Sequence, residues 1–242
     1  MANCKPARSG CNRSELRRRN PIVTPVGAWP RRSAMQRSNH PGFLLVIEGI
    51  DGAGKSTVLR RLAEHCRARG GTCVTSREPT NGPHGTALRQ SAKTGRLSLA
   101  EELELFVADR AEHVHTLIAP ALARGEIVIL DRYYISSAAY QGARGADPAE
   151  IIARNEVFAP RPDLVLLLDI DPLGGTGRIL HRGDQPDDFE AVTYLAKVRD
   201  VFLSLPQPFI RRINAARPAD EVFGEAARIL DEALNEAGFT LV

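Results

Sequence analysis

Residues 43–57 read Phe43-Leu-Leu-Val-Ile-Glu-Gly-Ile-Asp-Gly-Ala-Gly-Lys-Ser-Thr57. The run Phe43–Ile47 is apolar without alternation, the pattern of a short strand buried on both faces. Directly after it, Gly49 to Ser56 has the spacing G-x-x-x-x-G-K-S of a phosphate-binding loop. Its glycines let the backbone curl until successive N–H groups point inward at phosphate oxygens, and the helix that begins near Ser56 adds the positive end of its dipole. Lys55 brings a compact charge to the terminal phosphates, and the Ser56 hydroxyl can ligate Mg²⁺. Gly49, Asp51, Gly52, Ala53, Gly54, Lys55, Ser56 and Thr57 are therefore the candidate phosphate-binding residues. The chain has four lysines, and one stands where the motif requires it. A glycine-rich turn that binds nothing is the plainer reading, but the strand before it and the helix after it argue against that.

Outward from this stretch, short apolar strands alternate with amphipathic helices. Ser56–Arg69 predicts a helix stopped by Gly70-Gly71, and Thr72–Ser76 a second strand. Ser98 and Glu101 form a capping box that opens a long helix through Arg124. Glu126–Leu130 predicts a third strand, Pro148–Phe158 a helix, Asp163–Asp169 a fourth strand. Residues 172–182 and Glu190–Leu205 predict helices, Phe209–Ile213 a fifth strand, and Pro218–Ala237 a closing helix. The fold class is α/β: a P-loop NTPase-type three-layer fold, with a mostly parallel five-stranded sheet and helices on both faces. Ligands in such folds sit beyond the carboxyl ends of the strands. Asp131, closing the third strand beside the phosphate loop, is the candidate second metal anchor with Ser56.

Composition is that of a globular protein, 43% hydrophobic and 25% charged, which excludes a fibrous or wholly disordered chain. No apolar run approaches the roughly 18 residues of a membrane helix. Residues 1–42 carry nine Lys/Arg against Glu15 alone, leaving 23 basic and 28 acidic residues in the remainder. The basic character thus belongs to the N-terminal segment, and the body gives no reason to expect nucleic-acid or membrane binding. Residues 1–41 have no period and read as a basic disordered tail. The tail is inert, a targeting segment or a binding arm, and Met35 offers an alternative start. Cys4, Cys11, Cys66 and Cys73 form no C-x-x-C pair, as expected for free thiols in a reducing cytoplasm.

Five motifs stand in order: residues 49–57; Ser76-Arg-Glu-Pro-Thr80; Leu105-Phe-Val-Ala-Asp-Arg110; Asp131-Arg-Tyr-Tyr-Ile-Ser-Ser-Ala-Ala-Tyr-Gln-Gly142; and Arg161-Pro-Asp-Leu-Val-Leu-Leu-Leu-Asp169. In these the chain resembles the thymidylate kinase family of the P-loop nucleoside-monophosphate kinases, from about Phe43 to Val222. The resemblance implies transfer of the γ-phosphoryl of ATP to dTMP, giving dTDP and ADP in dTTP synthesis. It further implies a Mg²⁺ requirement, a homodimer and a short lid. Phe106, one helical turn from Arg110, would stack on thymine while Arg110 donates to a ring carbonyl. Asp51 would accept from the sugar 3′-hydroxyl, and Arg77 and Arg132 would hold the acceptor phosphate. Glu78 and Pro79 would shape the loop that carries Arg77. Tyr140 would crowd the 2′ position, and Ser137 and Gln141 would line the base pocket. Core packing for Phe106, and structural roles for Arg110 and His113, remain open beside these. Tyr133 and Tyr134 read as core and rim residues.

The chain departs from the family pattern in two places. With glycine at 52 it is of the lid-arginine type, matching at Arg178 and Arg182, but Asp188 stands where a further arginine is common. The transition-state arginine then comes from Arg178, Arg182 or elsewhere, with Arg182 the first choice. Thr80-Asn81 also replaces common glycines. The alternatives are a kinase for another nucleotide or a deoxynucleoside, and a non-catalytic nucleotide-binding protein. Asp171-Pro-Leu-Gly174 resembles a GTPase switch, but no N-K-x-D motif accompanies it.

Overall fold

A computed structural model describes Met1 and residues 40–95, 97–175 and 189–239. The chain divides between Gln36 and Arg37, and everything below concerns the second part. The elements run β1 (Phe43–Glu48), α1 (Lys55–Ala68), β2 (Cys73–Arg77), α2 (Pro83–Thr94), α3 (Leu99–His113), a π-turn (Val114–Ile118), α4 (Ala119–Ala123), β3 (Ile127–Asp131), α5 (Tyr134–Gly142), α6 (Pro148–Glu156), β4 (Leu164–Asp169), α7 (Phe189–Ser204), β5 (Ile210–Asn214) and α8 (Ala219–Glu236).

The sheet is wholly parallel, in the order β2-β3-β1-β4-β5. Every residue of β1 is buried, as its unbroken apolar run requires for a central strand. The buried leucine, valine and isoleucine side chains of β1, β3 and β4 form the core, each worth about 1.5–3 kcal/mol of burial. Register then builds the site: Ile47 pairs with Asp131, and Asp131 with Arg77. The exits of β1, β2 and β3 therefore lie in one row, with the phosphate loop above it.

The Ser98–Glu101 capping box is present and opens α3. The single long helix expected through Arg124 is present as one continuous run to Ala123, with a π-turn at Val114–Ile118. Pro120 has no N–H to give and its ring crowds the carbonyl one turn back, so the backbone widens, with the Ala119 N–H reaching Val114 O. Two helices went unread. α2 buries little apolar surface, Leu88 chief among it, and starts on Pro83 at a position where proline needs no donor. α5 is buried nearly all round and so shows no helical period. Of the helix expected over 172–182, residues 172–175 are helical and the rest falls outside the described residues.

Candidate active site

The phosphate loop turns back on itself through Gly49, Gly52 and Gly54, all with positive φ. At Gly52 a Cβ would stand 2.1 Å from Gly175 O, so no side chain fits there without moving backbone. Gly52 therefore leaves no room for an arginine within the phosphate loop. Lys55 is buried and donates from Nζ to Gly49 O (3.1 Å) and Ile50 O (2.9 Å). Burial works against its charge, and repulsion from Arg132 adds to that, pulling Lys55 down to about 8.

Ser56 Oγ donates to Asp131 Oδ2 at 2.8 Å, while Asp131 Oδ1 is buried with no hydrogen-bond partner. A hydroxyl and a carboxylate with an unused oxygen suit a hard, oxygen-seeking cation such as Mg²⁺. These residues line a cavity of about 340 Å³ with Asp51, Gly52, Gly54, Thr57, Arg77, Glu78, Pro79, Arg89 and Arg132. Gly49 and Ala53 are not on its wall: Ala53 is buried, and the Gly49 carbonyl faces Lys55 and Arg132.

Arg132 has φ 71°, the one non-glycine residue with positive φ among the described residues. It donates from Nη2 to Asp51 Oδ1 (2.6 Å) and Tyr140 Oη (3.1 Å), and from Nη1 to Ser136 Oγ (3.1 Å) and Gly49 O (3.3 Å). Its guanidinium carbon lies 4.9 Å from the centre of the Tyr140 ring. Loss of water on the cleft side pushes the Asp51 carboxyl up, but Arg132 and Lys55 together outweigh it and hold this part-exposed group below its usual range. Burial likewise pushes the Tyr140 hydroxyl up, beyond what Arg132 can offset.

A second cavity, about 240 Å³, adjoins the first and shares Asp51, Glu78, Pro79 and Arg132 with it. Its other walls are Phe106, Arg110, Ser137, Tyr140 and Gln141, all expected, together with Glu102, Tyr133, Ser136 and Tyr194. Phe106 is half-buried, with its ring on the cavity rather than in the core. Arg110 is almost wholly committed within the protein. It donates to Glu78 Oε2 (2.8 Å), Asn155 Oδ1 (2.6 Å) and Ser137 Oγ (3.1 Å), which leaves one Nη1 hydrogen for a ligand. Gln141 donates from Nε2 to Glu102 Oε1 at 3.2 Å, and its own buried carbonyl oxygen has no partner.

Several site residues escaped the sequence reading. Arg89 donates to Pro79 O, Thr80 O and Asn81 Oδ1, and no local motif marks it. Glu102 holds both Gln141 and Arg144. Glu48 was visible only as an acid ending an apolar run. His113 settles as structural: buried, it bonds Glu78 Oε1 through Nδ1 (3.1 Å) and Ser76 Oγ through Nε2 (2.8 Å). Tyr133 and Tyr134 are fully buried, although the Tyr133 ring also reaches the second cavity. The lid residues Arg178, Arg182 and Asp188 lie outside the described residues. Among those described, no helix is long and apolar enough to cross a membrane, and no three His, Cys, Asp or Glu side chains cluster as a metal site.

Comparison with known proteins bears on this geometry. A family model described as thymidylate kinase matches residues 47–226. A thymidylate kinase of Xanthomonas euvesicatoria pv. vesicatoria (strain 85-10) is 55% identical over 193 residues, covering 80% of this chain and 85% of that protein. A thymidylate kinase of Xanthomonas oryzae pv. oryzae (strain PXO99A) is 54% identical over the same shares. One of Xylella fastidiosa (strain M23) is 50% identical, covering 80% of this chain and 88% of that protein.

Proposed function

The chain belongs to the thymidylate kinase family, and we propose that its two adjoining cavities seat the two substrates of that reaction, the ATP phosphates in one and dTMP in the other. It is an ATP-dependent nucleoside-monophosphate kinase that transfers the γ-phosphoryl of ATP to dTMP. The observation that carries the assignment of sites is the shared wall. A phosphate-loop cavity and an aromatic-walled cavity meet at Asp51 and Arg132, so donor and acceptor phosphates would face each other there.

The acceptor is a phosphate monoester, ionised near neutral pH, so no general base is needed. The protein's work is alignment and charge stabilisation. Lys55 and the backbone of Gly52, Gly54 and Thr57 hold the donor phosphates. A phosphate beside Lys55 restores the charge that burial disfavours. Arg77 and Arg132 hold the acceptor phosphate, with planar donors suited to its oxygens. Phe106 stacks on the base, and Arg110 gives its remaining N–H to a ring carbonyl. Ser137 and Gln141 line the base pocket, while Tyr140 crowds the sugar 2′ position. Ser56 and Asp131 would hold Mg²⁺, which when bound neutralises charge on the donor phosphates. The family resemblance assigns Arg182 and Arg178 to the transferred group.

The catalytic domain is residues 42–242, in line with elements running from Phe43 to Glu236 and a family match over 47–226. The protein works as a homodimer, as the family resemblance implies, in the reducing cytoplasm that cysteines without a C-x-x-C pair suit.

An ADP-release assay with Mg-ATP and dTMP, dUMP, UMP, dCMP, thymidine or no acceptor tests the site assignment. Activity led by dTMP, with dUMP behind and UMP nearly silent, is expected from the base pocket and Tyr140. Equal turnover of UMP and dUMP would remove the sugar role of Tyr140. A lead by thymidine would displace Arg77 and Arg132 from the acceptor phosphate.

A further inference from the structure

Glu48 ends β1 with no solvent exposure, an unusual place for a carboxylate. It touches neither cavity. It accepts from Tyr133 N (2.9 Å), Ser136 N (3.0 Å) and Ser136 Oγ (2.5 Å). All three donors belong to the turn that leaves β3 and starts α5. That helix has no side-chain cap of its own, since its N-cap residue is Tyr133. A carboxylate brought from another strand therefore does the capping, where the helix dipole favours negative charge.

The connection continues outward. Ser136 Oγ, which donates to Glu48, accepts from Arg132 Nη1 at 3.1 Å. Arg132 also sits in a left-handed backbone conformation, which is strained for an arginine and persists only where its surroundings enforce it. The backbone on both sides of its Cα is pinned: its own N–H donates to Ile47 O, and the N–H of Tyr133 donates to Glu48. The left-handed turn carries the Arg132 side chain back over the phosphate loop, where it meets Asp51 and Tyr140.

From this we propose that Glu48 is a positioning residue of the phosphoryl-transfer site, fixing the Arg132–Ser136 turn so that the Arg132 guanidinium is aimed at the acceptor phosphate. The role rests on Arg132 binding that phosphate. Glu48 acts on the reaction through Arg132 and Ser136, with no contact to substrate. Burial pushes its carboxyl up to about 7 despite the hydrogen bond from Ser136 and the nearby charge of Arg132. Burying a carboxylate there is costly, and the three donors from the Arg132–Ser136 turn offset that cost.

The test is a double-mutant cycle in the full chain, reading kcat/KM for dTMP and the Kd of ADP. The single variant Arg132→Ala comes first. If it turns over dTMP like the wild type, the acceptor-site reading itself fails, independently of Glu48. With Arg132→Ala impaired, Glu48→Gln is expected to lower kcat/KM about 10–100-fold in the wild-type background, with ADP affinity unchanged within about twofold. In the Arg132→Ala background the same change should cost less than about threefold, because the group through which it acts is gone. Equal losses in both backgrounds, or wild-type kcat/KM in Glu48→Gln, would overturn the proposal and leave Glu48 a helix cap. Should Glu48→Gln fail to fold, Ser136→Ala takes its place in the cycle. It keeps the carboxylate and both backbone bonds, removes the one hydroxyl that joins Glu48 to Arg132, and is read by the same two outcomes.

Discussion

Arg132 Nη2 donates to Asp51 Oδ1 at 2.6 Å, joining the end of β3 to the phosphate loop across the wall shared by the two cavities. Asp51 is more than half exposed, so the pair adds little to stability and its worth lies in orientation. Asp51→Asn keeps an acceptor oxygen but removes the charge that strengthens the bond. A fall of about tenfold in kcat/KM for dTMP is expected, roughly 1.4 kcal/mol, with ADP affinity within twofold. Steady-state kinetics and ADP titration check this. Unchanged kcat/KM would mean that the bond takes no part in aligning the acceptor.

Asn81 Oδ1 accepts from Arg77 Nη2 (3.2 Å) and from Arg89 Nη2 (3.3 Å), so one amide sets two cavity guanidiniums side by side. Both are long side chains that would otherwise lose rotamer freedom on meeting a phosphate. Asn81→Ala is expected to raise KM for dTMP about 3–10-fold while kcat stays within twofold, because the effect falls on binding. Arg89→Ala should do the same, and the two together should cost less than the product of the singles. A loss confined to kcat would place these residues in the chemical step instead.

These two cases also mark what was legible beforehand. The strand–loop–helix at residues 43–57 announced itself because its chemistry is local: the glycines, the lysine and the buried run adjoin in sequence. Asp131 and Arg132 were legible as the end of a strand, and Phe106 with Arg110 through helical spacing. Arg89 was not, since α2 has no strong apolar period and its bonds run to carbonyls of the preceding loop. Nor was the near-saturation of Arg110, which depends on Glu78, Asn155 and Ser137 arriving from three separate segments. Asn81 was noticed only as a departure, and its meaning appeared once α2 brought Arg89 beside it. Tertiary partners of this kind leave no trace in spacing.

Glu48 gives stability a pH dependence of fixed sign. Its carboxyl is raised to about 7 in the folded protein, chiefly by burial, against an ordinary value of 4.5. Between those values the folded state binds more protons than the unfolded one, so this group's contribution falls as pH rises from about 4.5 to about 7 and is level above. The span corresponds to something on the order of 3 kcal/mol. Urea unfolding at pH 5.5 and pH 8 should therefore show a smaller stability difference in Glu48→Gln than in the wild type. The same difference in both would mean that Glu48 is ionised in the fold at its ordinary pKa.

The last expectation concerns the transition state. Among the described residues, the cations lining the phosphate cavity are Lys55, Arg77, Arg89 and Arg132, each already bonded within the protein. In the proposed site Lys55 holds the donor phosphates, and Lys55→Ala should abolish transfer with the fold retained. Arg77 and Arg89 are bound to Asn81, and Arg132 to Asp51 and Tyr140, which suits ground-state holding of the acceptor. A loose phosphoryl transition state spreads negative charge over oxygens that these groups do not all face, and an arginine brought in by a lid supplies the missing donors. Gly52 has no room for one, since any side chain there meets Gly175, and Asp188 has removed one lid position. That leaves Arg182 and Arg178. Arg182→Ala should lower kcat about 100-fold or more with KM for dTMP within about threefold, and Arg178→Ala should lower it less. A raised KM at preserved kcat would make Arg182 a substrate-holding residue and shift the transition-state role to Arg178.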